Sequence, residues 1–191
     1  MFIQTEPTPN PNVLKFLPGR EVMGEGTREF RADGAEASPL AAAIFATPGV
    51  ERVFFGPDFV TVTRVDDDLD WRQLKAPILA AIMEHFTSGA PLFAEDAASA
   101  TAHDDDEVYE GEAAQVVAEI KDLLDTRIRP AVARDGGDIL FNRFDPASGV
   151  VYLHMRGACS GCPSSSATLR SGVENMLKHY VPEVTRVEQT L

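Results

Sequence analysis

The chain has 191 residues, a formal net charge of −13 and two cysteines, so it is long enough for one large domain or two small ones. The acidic balance excludes nucleic acid and anionic membrane as expected partners, because both attract clustered Lys and Arg. Two cysteines exclude a disulfide-rich secreted scaffold, and no apolar run approaches the ~18 residues of a membrane span.

The first 93 residues contain strand and helix patterns that predict a small α+β domain. Ser38 followed by Pro39 predicts a helix start, because serine caps free N–H groups and proline fits the first helical position. Apolar residues at helical spacing from Trp71 to Phe86 predict a second helix, which Pro77 either kinks or starts. Strands are predicted at 2–4 and 13–17, and a hairpin rich in Val, Thr and Phe is predicted at 50–55 and 59–65.

Residues 94–107 differ sharply in composition from the rest of the chain. They read AEDAASATAHDDDE, with six acidic residues, no Lys or Arg and no large apolar side chain. Such a segment buries too little surface to offset the entropy of ordering, and its charges repel one another. We therefore predict a flexible acidic linker here, between a first domain at 1–93 and a second at 108–191.

The second half predicts the element order helix, strand, strand, helix, strand. An amphipathic helix covers 116–128 and is expected to end at Pro130 and the glycine pair at 136–137. Strands are predicted at 139–144 and 150–155, followed by a helix that Pro182 ends and a last strand at 184–191. The fold class predicted for the chain is thus two small α+β domains joined by the linker.

Both cysteines, Cys159 and Cys162, fall in one C-x-x-C between a predicted strand and a predicted helix. Thiolates at this spacing on a turn can point at one centre, which is typical of metal and redox sites. The positive end of the following helix is expected to lower the thiol pKa. The pair is therefore the candidate functional site.

Three kinds of chemistry fit this pair, and the spacing alone does not choose among them. A thioredoxin-like dithiol would open a helix in the same way, although here proline follows the second cysteine. A structural zinc site needs four ligands, so His154 or His179 would have to complete it. A [4Fe–4S] cluster also needs four thiolates, which two chains could supply together. No nucleophile–base pair or phosphate-binding loop indicates an enzyme.

The segment GACSGCPSS at 157–165, with Asp135-Gly136-Gly137-Asp138 upstream, resembles the C-terminal domain of NifU. The first half resembles the N-terminal domain of the Nfu scaffold proteins, over MFIQTEPTPNPNVLKF at 1–16, 38–45, VFFGPDFVTVT at 53–63 and ILAAIMEHF at 78–86. The resemblance implies an iron–sulfur cluster carrier. Such a carrier holds a [4Fe–4S] cluster between two chains, here through Cys159 and Cys162.

The same resemblance implies the partners. A cluster-bridged homodimer would receive its cluster from an upstream donor and pass it to apo-proteins. The first domain has no cysteine, so we expect it to recognise clients or donors instead of binding the cluster through thiolates. Because residues 1–7 show neither a signal peptide nor an Arg-rich transit peptide, the expected location is a bacterial cytoplasm and not a mitochondrial matrix.

Overall fold

The computed structural model describes residues 2–94, 108–161 and 163–190. The chain divides into two compact units, Met1–Ala102 and His103–Leu191, and both combine helices with a sheet, as predicted. Apart from Ala94, the predicted linker lies outside the described residues. None of the helices in the described part of the chain is long and apolar enough to cross a membrane.

Unit one contains five strands and two α-helices. They are β1 Gln4–Pro7, β2 Val13–Leu17, β3 Arg28–Arg31, α1 Pro39–Phe45, β4 Val50–Phe55, β5 Val60–Arg64 and α2 Trp71–Ser88. The strands form one antiparallel sheet in the order β1-β2-β5-β4-β3. Both α-helices pack against the sheet, and a short 3-10 helix at Ala32–Ala37 precedes α1. The fully buried core side chains include Phe16, Ile44, Phe55, Ile78 and Ile82.

The two helix starts follow from local capping. The Ser38 hydroxyl accepts a hydrogen bond from the Ala41 amide at 3.3 Å, which confirms the predicted start of α1. The Asp70 side chain accepts from the amide of Arg72 at 2.9 Å and caps α2. The helix α2 therefore begins before Pro77 and continues through it.

The sheet differs from the prediction at its two edges. The first strand is Gln4–Pro7 instead of 2–4, because Pro7 lies on an edge strand, where its missing N–H is tolerated. The strand Arg28–Arg31 was not predicted. Only Phe30 is buried in it, at 4% exposure, so its charged sequence gives no alternating pattern to detect.

Unit two follows the predicted order of helix, strand, strand, helix and strand. Its elements are α3 Glu112–Leu123, α4 Arg129–Arg134, β6 Gly137–Asp145, β7 Val150–Gly157, α5 Pro163–Tyr180 and β8 Arg186–Thr190. Between α3 and α4 the chain forms one π-helical segment, Leu124–Ile128. The three-stranded sheet has the order β6-β7-β8, with β6 antiparallel and β8 parallel to the central strand.

The prediction that the first helix of this unit ends at Pro130 is wrong. The helical path passes from the π-helical segment into α4, and Pro130 lies in the first turn of α4. A helix tolerates proline there because the N–H that proline lacks has no partner within that helix. The helical path ends at the turn before β6, where Gly136 has a φ of 83°.

Candidate functional site

Cys159 lies in the turn that follows β7 and precedes α5. Gly157, the last residue of β7, has a φ of 60°, a conformation that favours glycine. The amide of Cys159 donates to the carbonyl of Arg156 at 3.2 Å. The amide of Ala158 donates to the carbonyl of Gly136 at 3.1 Å. This turn, residues 157–160 (the cysteine turn), is therefore hydrogen-bonded to the turn that leads into β6.

The thiol of Cys159 is buried in the core of unit two, where the residue is 5% exposed. Burial, together with the nearby charges of Asp138 and Asp135, raises the pKa of this thiol to about 12. The expectation that the helix end lowers the thiol pKa is therefore wrong for Cys159. The thiolate of Cys159 would lose its solvation and be repelled by the two negatively charged aspartates. Together these effects outweigh its attraction to the helix dipole.

A buried ion pair supports the strand next to the cysteine turn. Asp138, 3% exposed, accepts hydrogen bonds from Nε and Nη2 of Arg129 at 2.8 and 3.0 Å. Arg129 also donates to Asp125 at 2.8 Å, and the hydrogen bond to Asp138 is the main cause that raises the pKa of its guanidinium. This two-point contact joins the start of α4 to the start of β6.

The other predicted ligands do not join Cys159 in the described residues. Cys162 lies outside them, so the ligand role of the two cysteines stays a prediction. The ring of His154 contacts Asn142 and Thr190 at 2.8 and 2.9 Å, and His179 packs edge-on against its neighbour Tyr180. Across 2–94, 108–161 and 163–190, no three His, Cys, Asp or Glu side chains are grouped to hold a metal ion.

Sequence reasoning missed the contact between Arg129 and Asp138. It interpreted the Asp135–Asp138 segment as a helix end and strand entry, which accounts for the glycines and leaves the second aspartate unexplained. The available signal was an acidic residue directly before Ile139 and Leu140, which are both buried. A carboxylate at such a position needs a partner, and the nearby arginines are the candidates.

Comparison with known proteins covers both units. Residues 3–89 match the family model "Scaffold protein Nfu/NifU N terminal", and residues 120–188 match the NifU-like domain. NifU-like protein 4, mitochondrial, of Arabidopsis thaliana is 55% identical over 190 residues, which is 99% of this chain and 66% of that protein. The human protein named NFU1 iron-sulfur cluster scaffold homolog, mitochondrial, is 50% identical over 194 residues, 100% of this chain and 72% of its own.

The expected bacterial cytoplasmic location is wrong. The Arabidopsis and human relatives, at 55% and 50% identity, are both named as mitochondrial proteins. The expectation depended on the first seven residues alone. Because the chain spans 66% to 72% of the length of these relatives, its first residue carries no information about targeting.

The likeness extends over the whole chain. A third relative, NifU-like protein 5, mitochondrial, of Arabidopsis thaliana, is 55% identical over 190 residues, covering 99% of this chain and 68% of that protein. Both domain models match in the order that the two units have along the chain. The chain therefore belongs to the family of Nfu scaffold proteins.

Proposed function

We propose that this protein is an iron–sulfur cluster carrier that binds a [4Fe–4S] cluster between two copies of the chain and transfers it to apo-proteins. Cys159 and Cys162 of each copy supply the four thiolates. The role is carriage and not catalysis. The cluster is cargo, which the protein accepts from a donor and releases to a client.

One observation carries this proposal. The only two cysteines of the chain form a C-x-x-C inside the part that matches the NifU-like domain. A [4Fe–4S] cluster takes four thiolates, so one chain supplies half a site and a second copy completes it. The name of the human relative, which describes an iron–sulfur cluster scaffold, supports the same kind of cluster.

A site divided between two chains favours release. During transfer, each exchange forms one iron–sulfur bond to a client thiolate and breaks one to Cys159 or Cys162. The released thiolate takes up a proton, and the oxidation state of the cluster does not change. Because each copy holds only two ligands, the dimer can separate as its thiolates are replaced one by one.

Two alternatives are a dithiol oxidoreductase and a zinc-bridged dimer. The raised pKa of the Cys159 thiol does not separate them from the carrier, because a nucleophile and a metal ligand both need the thiolate. An oxidoreductase differs from a cluster dimer in its redox activity, and a zinc-bridged dimer differs in its bound metal and its colour.

Anaerobic reconstitution with iron and sulfide tests the proposal. We expect a brown protein with about four iron and four sulfide ions per two chains, and a dimer by size-exclusion chromatography with light scattering. Cys159→Ala and Cys162→Ala should each abolish the colour and the cluster-dependent dimer. Val108→Ala, at a residue that is 88% exposed in the same unit, is the matched control and should behave as the parent chain.

The same samples distinguish the alternatives. Tightly held zinc with a colourless dimer would indicate a structural zinc site, and trace iron after reconstitution would contradict the carrier. A measurable dithiol potential together with reduction of a disulfide substrate would indicate the oxidoreductase. Transfer is measured as activation of an apo client that requires a [4Fe–4S] cluster.

We further propose that the first domain recognises clients or donors. It contains no cysteine, so it takes no part in ligation through thiolates. A chain that lacks residues 1–93 should still acquire a cluster, and it should transfer that cluster more slowly to at least one client. Circular dichroism before the assay establishes that the shortened chain is folded. Equal transfer rates to every client would contradict this role.

A further inference from the structure

Gly137, the first residue of β6, lies against the thiol of Cys159. If Gly137 carried a Cβ, that atom would lie 2.4 Å from Sγ of Cys159. It would also lie 2.8 Å from the carbonyl oxygen of Arg156 and 2.9 Å from the amide nitrogen of Cys159. All three distances are shorter than a carbon atom tolerates, so any side chain at position 137 must displace the cysteine turn.

Backbone conformation does not explain this glycine. Gly136 and Gly157 have φ angles of 83° and 60°, in the region that favours glycine. Gly137 has no positive φ; it begins β6 and pairs with Gly157 in the sheet. Its φ angle does not require glycine, and what excludes a side chain is the close approach of the cysteine turn.

The strand and the cysteine turn are also bonded to their surroundings and to each other. Asp138, the next residue, is fixed by the two hydrogen bonds from Arg129. The carbonyl of Gly136 accepts from the amide of Ala158, which belongs to the cysteine turn. Because two of the three clashing atoms are backbone atoms, an added methyl group has to push the cysteine turn and the Cys159 sulfur away from the strand.

We propose that Gly137 is a positioning residue for Cys159: because it has no side chain, it lets the cysteine turn lie close against the strand, which places the sulfur at its buried position. The inference depends on the proposed function for its meaning, since Cys159 is there a cluster ligand. It assigns to Gly137 a role in cluster binding that needs no contact with the cluster itself.

Gly137→Ala tests this inference, in the full chain with Cys162→Ser so that Cys159 is the only thiol. The added methyl displaces the sulfur from its buried place, so we expect Cys159 to react with the disulfide reagent DTNB about tenfold faster or more. In the chain with both cysteines, Gly137→Ala should bind less than half of the parent's iron and sulfide after reconstitution, because a ligand has to be held close to its productive position.

Gly172→Ala is the matched control. Gly172 lies in α5 of the same unit, and a Cβ there meets nothing within 4 Å. This variant should keep the parent's DTNB rate and cluster content. An unchanged DTNB rate in Gly137→Ala, or an unchanged cluster content, would overturn the inference.

A second measurement keeps the test decisive if Gly137→Ala folds poorly. The loss in urea midpoint caused by Gly137→Ala should be smaller in a Cys159→Ala chain, because the nearest clashing atom is then gone. An equal loss in both backgrounds would overturn the inference. Failure of the proposed function has a different signature: the parent chain itself would then bind no cluster, while the DTNB and urea comparisons would still report on Gly137.

Discussion

The guanidinium of Arg129 and the carboxylate of Asp138 face each other in parallel, with two N–H donors meeting two oxygens at 2.8 and 3.0 Å. One carboxylate oxygen also accepts the amide of Ile139 at 2.9 Å, so the buried charge has partners on both sides. The pair fixes where β6 begins relative to the helix before it. Through Gly137, it also supports the turn that holds Cys159.

Arg129→Ala should destabilise unit two strongly, because it leaves the Asp138 carboxylate buried without its charged partner. The expected loss lies toward the lower end of about 3–5 kcal/mol, since the Arg129 side chain is itself 29% exposed. Urea unfolding followed by circular dichroism measures it, while Trp71 fluorescence reports on unit one. Lys178→Ala, which breaks the more exposed ion pair with Glu174, is the control and should cost no more than about 1 kcal/mol.

The Cys159 thiol should be unreactive while no cluster is bound. With its pKa raised from 9.0 to about 12, the thiolate fraction at pH 8 falls about a thousandfold. Alkylation by iodoacetamide in a Cys162→Ser chain should therefore be far slower than for the same chain in urea. The rate should rise with pH up to about 12 in the folded chain, whereas in urea it should level off near 9 to 10. Equal folded and unfolded rates at pH 8 would contradict the burial of this thiol.

Sequence reasoning succeeded where the signal is local. The Ser38 cap and the position of the cysteine pair between a strand and a helix follow from residues that are adjacent in the chain. The contact of Arg129 with Asp138 depends on how two elements pack, and no local pattern contains it. The pKa of Cys159 was predicted in the wrong direction for the same reason: the helix end is visible in the sequence, whereas the depth of burial is a property of the fold.

Unit two should lose stability on acidification as His154 takes up a proton. The amide nitrogen of Asn142 donates to Nε2, so the neutral ring carries its proton on Nδ1 and donates to the Thr190 hydroxyl. Burial, with a smaller effect of Arg156, lowers the pKa of His154 below 6.5. The unfolded chain therefore binds this proton first, and the stability is lost as the pH falls through 6.5 toward the lower folded value.

Proton NMR measures this directly, since the ring signals of His154 should titrate below 6.5 in the folded chain. The comparison is the same ring in urea. In His154→Gln, the loss in free energy of unfolding between pH 7.5 and pH 5.5 should be smaller than in the parent. A folded midpoint at or above the urea value would show that the ring is not held neutral by burial.

Ser38→Ala should destabilise unit one. The hydroxyl of Ser38 caps α1 and donates to the carbonyl of Leu92 at 2.5 Å, and the residue is completely buried. Removing it deletes both hydrogen bonds, at an expected cost of about 1–2 kcal/mol. Urea unfolding followed by Trp71 fluorescence measures the loss. Thr87→Ala removes an exposed hydroxyl of α2 and should change the stability by less than about 0.5 kcal/mol.

The π-helical segment Leu124–Ile128 sets the direction in which Arg129 points. Each residue of an α-helix turns the chain by about 100°, so one residue more or fewer ahead of Arg129 rotates every later side chain by that angle. Deleting a single residue from this segment would therefore turn Arg129 away from Asp138 without altering either of them. The ion pair with Asp138 therefore depends on the number of residues between α3 and Arg129 as much as on the identity of Arg129 itself.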